Sequence, residues 1–212
     1  TYAARLGIDI MPEIDMPGHF LAAASNYKGI ACHEQTGWGT TFSSPICPGK
    51  ESAMEFCKNV YSEIFQLFPY KYVHLGADEV EKTNWKKCRD CQRRIKEKGL
   101  KNEEELQAWF VKDMEKFFNA NGKELFGWDE ILEGGLAPNA TVMSWRGTEN
   151  GIKAAEMQHD VIMTPAGITY FSGRQLLELG GNRGVRRVYD FKICPDTLSE
   201  AAAKHIIGVQ AC

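Results

Sequence analysis

The chain has 212 residues, enough for one domain or most of one, and its 43% hydrophobic content can supply a sizeable core. A formal charge of −3 leaves no basic footprint for nucleic acid, and no apolar run approaches the length of a membrane span. Seven cysteines are many for a reducing compartment and an odd number for a fully paired exported protein.

Thr1-Tyr2-Ala3-Ala4-Arg5-Leu6-Gly7 reads as the last turn of a helix closed by a glycine C-cap, so the chain is expected to be a piece of a longer domain. Ile8–Asp15 predicts a strand, and Met16-Pro17-Gly18-His19 a sharp turn. From Phe20 to Lys50 no period is sustained amid frequent Gly, Ser, Thr and Pro, which predicts a long loop of the kind that usually carries function. Cys32 and Cys47 flank its Gly-rich part and could close it as a disulfide. Helical spacing returns at Met54, Val60, Tyr61, Ile64, Phe65 and Phe68 until Pro69 stops it, with Cys57 as a buried thiol.

Lys71-Tyr72-Val73-His74-Leu75 is β-rich and too short for a helix, and predicts a buried strand. The small residues Gly76 and Ala77 follow it, and Asp78 and Glu79 then stand at its C-terminal mouth. Trp85 to Lys98 predicts a polar, solvent-facing helix ended by Gly99. Within it Cys88-Arg89-Asp90-Cys91 is a lone C-x-x-C. Zinc or redox use would require a second ligand pair or a thioredoxin-like strand, and neither is evident, so a surface thiol pair or local disulfide is expected.

Asn102 and Glu105 form a capping box for a helix whose stripe of Leu106, Trp109, Phe110, Met114 and Phe117 predicts core, with Gly122 as its end. Leu125–Glu130 and Thr141–Gly147 are short strands with aromatic and charged ends. A small helix around Ile152–Ala155, a strand Val161–Thr164 and a turn-rich segment through Tyr170 follow. Thr197 and Glu200 make a capping box for a helix through Ala203, and His205–Val209 is a last strand.

Strands thus alternate with helices, the pattern of an α/β fold with a parallel sheet and right-handed crossovers. Polar and aromatic residues fall at the strand ends. In a (β/α)8 TIM barrel all such ends gather on one face, whereas a doubly wound sheet collects them only at a switch point, and no G-x-G-x-x-G or P-loop supports a nucleotide there. The expected mouth holds Asp15, His19, Asp78, Glu79, Trp128, Trp145 and Tyr170. Tryptophans with carboxylates suit a sugar, whose apolar faces stack on rings while acids hold its hydroxyls. One acid can give a proton while its neighbour stays ionised; the plainer reading is a solvated Asp-Glu pair at a turn. A metal centre is not expected, because it would want several His with carboxylates and only His19 and His74 qualify, the latter equally well placed as a hydrogen-bonded interior residue.

Pro12-Glu13-Ile14-Asp15-Met16-Pro17-Gly18-His19, His74-Leu75-Gly76-Ala77-Asp78-Glu79, Gly127-Trp128-Asp129-Glu130, Ser144-Trp145-Arg146-Gly147 and Gly208-Val209-Gln210-Ala211 resemble, in order, the signatures of glycoside hydrolase family 20, the retaining β-N-acetylhexosaminidases. The resemblance implies strands three to eight of a (β/α)8 barrel, with strands one and two and the tail of the eighth-strand motif missing. It implies a substrate of terminal β-linked GlcNAc or GalNAc on a glycan, no cofactor, and substrate-assisted catalysis through an oxazolinium, an exception to the two-carboxylate scheme. Glu79 matches the general acid/base and Asp78 the residue that holds the acetamido N–H. Tyr170 matches the donor to the acetamido oxygen, Trp128 and Trp145 the pocket walls, and His19 a support residue.

Three departures stand out. Ala77 replaces the usual Gly and should fit if its φ is negative. Ser172 stands where an Asp is frequent, and the first-strand Arg and the Trp and Glu after Gly208–Ala211 are absent. The alternative is a non-catalytic sugar-binding or structural part-barrel, with a homo-oligomer or a complementing chain as partner. Cysteine use and family habit point to an exported protein, periplasmic, extracellular or lysosomal. Asn139-Ala140-Thr141 matches a glycosylation sequon.

Overall fold

The computed structural model describes residues 2–33, 44–171 and 185–212, so Ser172 lies outside the described residues. They fall into two compact units, Thr1–Asn139 and Ala140–Cys212.

The first unit runs α1 (Tyr2–Arg5), α2 (Leu21–Asn26), α3 (Glu51–Leu67), β1 (Tyr72–His74), α4 (Thr83–Lys87), α5 (Arg89–Lys98), α6 (Glu103–Ala120) and β2 (Glu124–Trp128), then a 3-10 turn at Asp129–Leu132. β1 and β2 pair in parallel, with His74 opposite Phe126. Parallel pairing demands a crossover, and α4 to α6 supply it. The predicted cap of α6 forms: Asn102 Oδ1 accepts from the Glu105 N–H at 3.0 Å while Glu105 Oε2 accepts from the Lys101 N–H at 2.8 Å. α3 and α6 meet through aromatic rings, Tyr61 on Phe118 at 4.6 Å between centroids and Phe65 on Phe118 edge-on at 5.0 Å. Leu106, Phe110 and Met114 are fully buried, as their stripe predicts.

Three segments differ from expectation. Ile8–Asp15 is not a strand: Glu13 alone bridges to His74, and the rest is extended chain held by His74 N–H to Pro12 O and Met16 N–H to Leu75 O, each 2.9 Å. Pro12 lacks the N–H that a continuous ladder would use. The long loop contains α2, formed from the alanine run Leu21-Ala22-Ala23-Ala24, and an antiparallel bridge between Ala31 and Ile46. The polar helix is two helices that break at Cys88, and they bury one face through Trp85, Cys88, Cys91, Arg94 and Ile95. Cysteines form part of that stripe, which is why the surrounding Lys and Arg made it read as solvent-facing. Cys88 and Cys91 are therefore not a surface pair. Cys32 and Cys47 do not close a disulfide either, since all seven cysteines are free.

The second unit runs β3 (Thr141–Ser144), α7 (Glu149–Glu156), β4 (Val161–Met163), α8 (Ala166–Thr169), α9 (Val185–Tyr189), α10 (Glu200–Ala203) and β5 (Ile206–Val209). β4 is central and pairs in parallel with β3 and β5. Ser144 Oγ accepts from the Gly151 N–H at 2.9 Å and donates to Gly147 O at 2.8 Å, which pins the turn from β3 into α7. The cap of α10 is Ser199, whose Oγ accepts from the Ala202 N–H at 3.2 Å, and not Thr197, which lies too early for the first turn. Both units are α/β with parallel strands, the predicted class.

Candidate active site

β1 ends at His74, and the chain then passes through left-handed backbone at Gly76 (φ 80), Ala77 (φ 73) and Glu79 (φ 46). Extended chain would send Asp78 and Glu79 to opposite faces; this turn instead brings both to His19. His19 Nε2 lies 3.2 Å from Glu79 Oε2, 3.5 Å from Asp78 Oδ2 and 3.9 Å from Asp15 Oδ2. His19 itself has φ 50, in the Met16–His19 turn. The two loops touch closely: a Cβ on Gly18 would stand 2.7 Å from Asp78 O, and one on Gly76 would stand 1.9 Å from Asp15 Oδ1. Glycine is required at both places. Ala77 does not meet the condition of a negative φ, with φ 73: its Cβ is accommodated in the left-handed region, with its N–H donating to Asp15 Oδ1 at 2.9 Å and its O accepting from Gln107 Nε2 at 2.8 Å.

The two acids differ in depth. The Glu79 side chain is 45% exposed and that of Asp78 only 17%. Asp78 Oδ1 is buried and has no hydrogen-bond partner among the described residues. Asp15 is its neighbour, with a side chain 19% exposed. Burial, then the charge of Asp78 and a hydrogen bond to it, push Asp15 up to about 9 against the opposing bond from Ala77. At neutral pH Asp15 therefore holds its proton. Asp15, His19 and Asp78 also bring one donor atom each within 4.8 Å of the others, but a carboxyl that holds its proton is a poor metal ligand.

Trp128 ends β2, and its N–H donates to Gly76 O at 2.9 Å, so the second strand sets the indole beside the acid turn. The indole Nε1 donates to Glu13 Oε1 at 2.9 Å, and the ring tilts against His74 at 4.8 Å. His74 is 2% exposed, with Nδ1 at 3.0 Å from Gly76 N and 3.3 Å from Glu13 Oε1, the interior position that is one of the two readings its sequence leaves open. Burial raises Glu13, but the bonds from His74 and Trp128 outweigh it and leave the carboxyl below its usual range. Glu13, Gln107 and Tyr61, whose Oη donates to His74 O at 2.9 Å, are the supporting residues that sequence reasoning missed. Glu13 alone had a signal, its place two residues before Asp15.

Trp145 and Tyr170 belong to the second unit. Trp145 follows β3, and its O accepts from the Ala166 N–H at 2.8 Å, which ties it to the start of α8. Tyr170 ends α8. The Cys212 N–H donates to Thr169 O at 3.1 Å and the Phe171 N–H donates to Cys212 O, so the chain after Gly208–Ala211 is stitched to both sides of Tyr170.

The family model for the glycosyl hydrolase family 20 catalytic domain matches residues 1–212. The chain belongs to this family. It is 43% identical to a β-hexosaminidase of Porphyromonas gingivalis over 99% of its own length and 28% of that protein's. Against the α subunit of a Bos taurus β-hexosaminidase it is 31% identical over 68% of its length and 28% of the other's. Among solved structures, the family 20 exo-β-N-acetylglucosaminidase of Vibrio harveyi in complex with N-acetylglucosamine superposes with a TM-score of 0.84 at 28% identity, covering 99% of this chain and 35% of that one. The chain thus spans about a third or less of these relatives. Among the described residues no helix is long and apolar enough to cross a membrane.

Proposed function

We propose that this chain carries the acid/base machinery of a retaining exo-β-N-acetylhexosaminidase that removes terminal β-linked GlcNAc or GalNAc from glycans. In this reading it supplies strands three to eight of a (β/α)8 barrel as a single catalytic domain, completed by chain outside these residues or by a partner, in an exported protein. The observation that carries the reading is the pairing of a half-exposed Glu79 with a deeper Asp78 whose Oδ1 is buried and unpartnered among the described residues.

The reaction begins when the 2-acetamido carbonyl oxygen attacks the anomeric carbon as the glycosidic bond breaks. Glu79 donates its proton to the leaving oxygen, a role that requires reach toward the aglycone and so suits its exposure. Asp78 accepts the acetamido N–H, fixes the attacking carbonyl, and balances the positive charge of the oxazolinium that forms. Glu79, now ionised, takes a proton from water, which opens the oxazolinium with net retention. Asp15 supports this by holding its own proton against Asp78, and His19 spans the three acids. Trp128, anchored by Glu13, serves as a wall of the acetamido pocket. Trp145 as a second wall, and Tyr170 as donor to the acetamido oxygen, rest on the motif resemblance.

The test is hydrolysis of 4-nitrophenyl β-N-acetylglucosaminide by the purified protein, with a thiazoline mimic of the oxazolinium as inhibitor. Thiazoline-sensitive release supports the proposal. Release that the thiazoline leaves untouched, or tight sugar binding with no release even after the barrel is completed, would overturn it.

A further inference from the structure

A second cluster lies in the first unit. Cys32, Cys47, Cys88 and Cys91 place their four sulfurs within 4.8 Å of one another. Cys47 Sγ is 3.4 Å from Cys91 and 3.6 Å from Cys88, and Cys32 is 3.7 Å from Cys91. Four sulfurs at the corners of a tetrahedron, each ~2.3 Å from a central zinc, stand about 3.8 Å apart. A disulfide would require about 2.05 Å. We propose that these four cysteines form a structural tetrathiolate zinc site. The inference is independent of the glycosidase reading.

The backbone around the sulfurs is built for such a site. Cys47-Pro48-Gly49 is a turn whose Gly49 N–H donates to the Cys47 sulfur. Gly49 has no room for a side chain: its Cβ would stand 2.2 Å from the carbonyl carbon of Asp90 and 2.3 Å from Cys91 N. That approach seats the turn on the start of α5, where Cys88 is the N-cap and Cys91 lies in the first turn. The positive end of the helix favours thiolates there. Two guanidinium groups close over the same turn, Arg93 Nη2 and Arg94 Nη2 donating to Gly49 O at 3.2 and 3.4 Å, and Lys50 Nζ donates to Ala31 O at 2.7 Å beside Cys32. Both guanidinium groups are also ion-paired, Arg93 with Asp90 and Glu97 and Arg94 with Glu51, so they brace the turn. The charge that four thiolates leave on a divalent ion is met by the helix terminus and the loop N–H groups.

Soft thiolates in this geometry select zinc over hard cations, and sulfurs this close surround one ion and leave no room for an iron–sulfur core. Four protein ligands fill the tetrahedron, so the ion has no open position for substrate and its role is structural. Binding converts up to four thiols to thiolates, with the protons released to solvent. The site joins pieces of chain distant in sequence. Cys47 N–H bonds Ile30 O at 2.8 Å and its neighbour Ile46 N–H bonds Pro17 O at 2.9 Å, one residue from Gly18, while Val80, next to Glu79, packs on the same cluster. Zinc here would brace both loops that bring His19 and the two acids together.

Metal analysis of the protein, expressed with zinc and purified under reducing conditions, is the test. We expect one zinc per chain, four sulfur neighbours at ~2.3 Å in X-ray absorption, loss of the metal in Cys88→Ser and Cys91→Ser, and full retention in Cys212→Ser, whose thiol is exposed and elsewhere. Because the first two variants disturb a buried cluster, the partly exposed Cys32→Ser provides a milder loss of affinity, and the wild-type metal content depends on no variant. Four thiols that stay metal-free and alkylate readily, sulfurs recovered as two disulfides by peptide mapping, or iron in place of zinc would each overturn the proposal.

Discussion

The sulfur corner and the acid corner are each a knot of four polar side chains joined from several loops, yet the chain has treated them oppositely. Around the cysteines it built an apolar wall, with Cys47, Trp85, Cys91 and Leu106 fully buried and the indole Nε1 of Trp85 donating to Ile46 O at 2.8 Å. Around Asp15, His19, Asp78 and Glu79 it left the side chains between 17% and 45% exposed, and forced the backbone into left-handed conformations to bring them together. Identical burial would be wrong for both. A group that must exchange protons with a substrate needs solvent and uneven proton affinities, whereas a cross-link needs a dry site and equivalent donors.

The sharpest way to break this contrast is to remove the acid corner's chemistry while leaving its shape. Glu79→Gln should reduce turnover of a natural disaccharide by about 10²- to 10⁴-fold, the usual contribution of a positioned general acid. The loss should be smaller with a 4-nitrophenyl leaving group, which needs little protonation. Asp78→Asn should cut kcat on both substrates, because the acetamide loses its charged partner in either case. Both variants should keep the wild-type thermal midpoint within a few degrees. Equal losses on the two leaving groups in Glu79→Gln would remove it from the acid role.

The reciprocal experiment strikes the sulfur corner alone. Gly49→Ala pushes a methyl group into the Asp90–Cys91 backbone, and such overpacking costs about 1–3 kcal/mol. Urea midpoints should fall accordingly. The pH profile of turnover should keep its shape, because no titrating group of the acid corner touches Gly49.

A further effect separates the corners by pH. Asp15 is held above its unfolded carboxylate value, so the folded state retains a proton that the unfolded chain releases. Its stabilising contribution is complete below the unfolded value and declines as pH rises from there through about 9. Wild-type stability should therefore slope downward across that window. Asp15→Asn, which imitates the protonated form, should flatten the slope when urea midpoints are compared at about pH 5 and about pH 9. An unchanged slope would place the proton elsewhere in the cluster.

How much of this was legible in the sequence depended on whether the signal was local. The α6 capping box, the α3 and α6 stripes and the strand before Asp78 are written in neighbouring residues, and they formed. Asp78 and Glu79 could be named because the short strand and the small residues after it are contiguous. The proton that Asp15 holds could not, since it arises from burial and from Asp78 across 62 intervening residues that only the fold brings together. Cys88 and Cys91 were read as a lone pair for the same reason: their partners Cys32 and Cys47 sit on a loop without period. The spacing Trp85, Cys88, Cys91, Ile95 was nevertheless an apolar stripe, hidden because cysteine was counted as chemistry and not as core. Trp145 and Tyr170 could be read only as members of motifs.

The smallest effect concerns the backbone that the acid corner strains. Ala77 has φ 73 and is fully buried, and its peptide is held on both sides, by Asp15 through its N–H and by Gln107 through its O. It therefore cannot relax to a negative φ without losing both bonds. An L-residue in that region costs about 1–2 kcal/mol, which glycine avoids; glycine in turn adds roughly 0.4–1 kcal/mol of unfolded-state entropy. The difference leaves Ala77→Gly more stable by roughly 0–1.6 kcal/mol, read as a rise of up to a few degrees in thermal midpoint. A fall instead would mean that the packing of the methyl group outweighs the strain. In that case alanine here would be a core residue that stiffens the turn beneath Asp78 and Glu79, and the variant should also show a raised KM with kcat little changed.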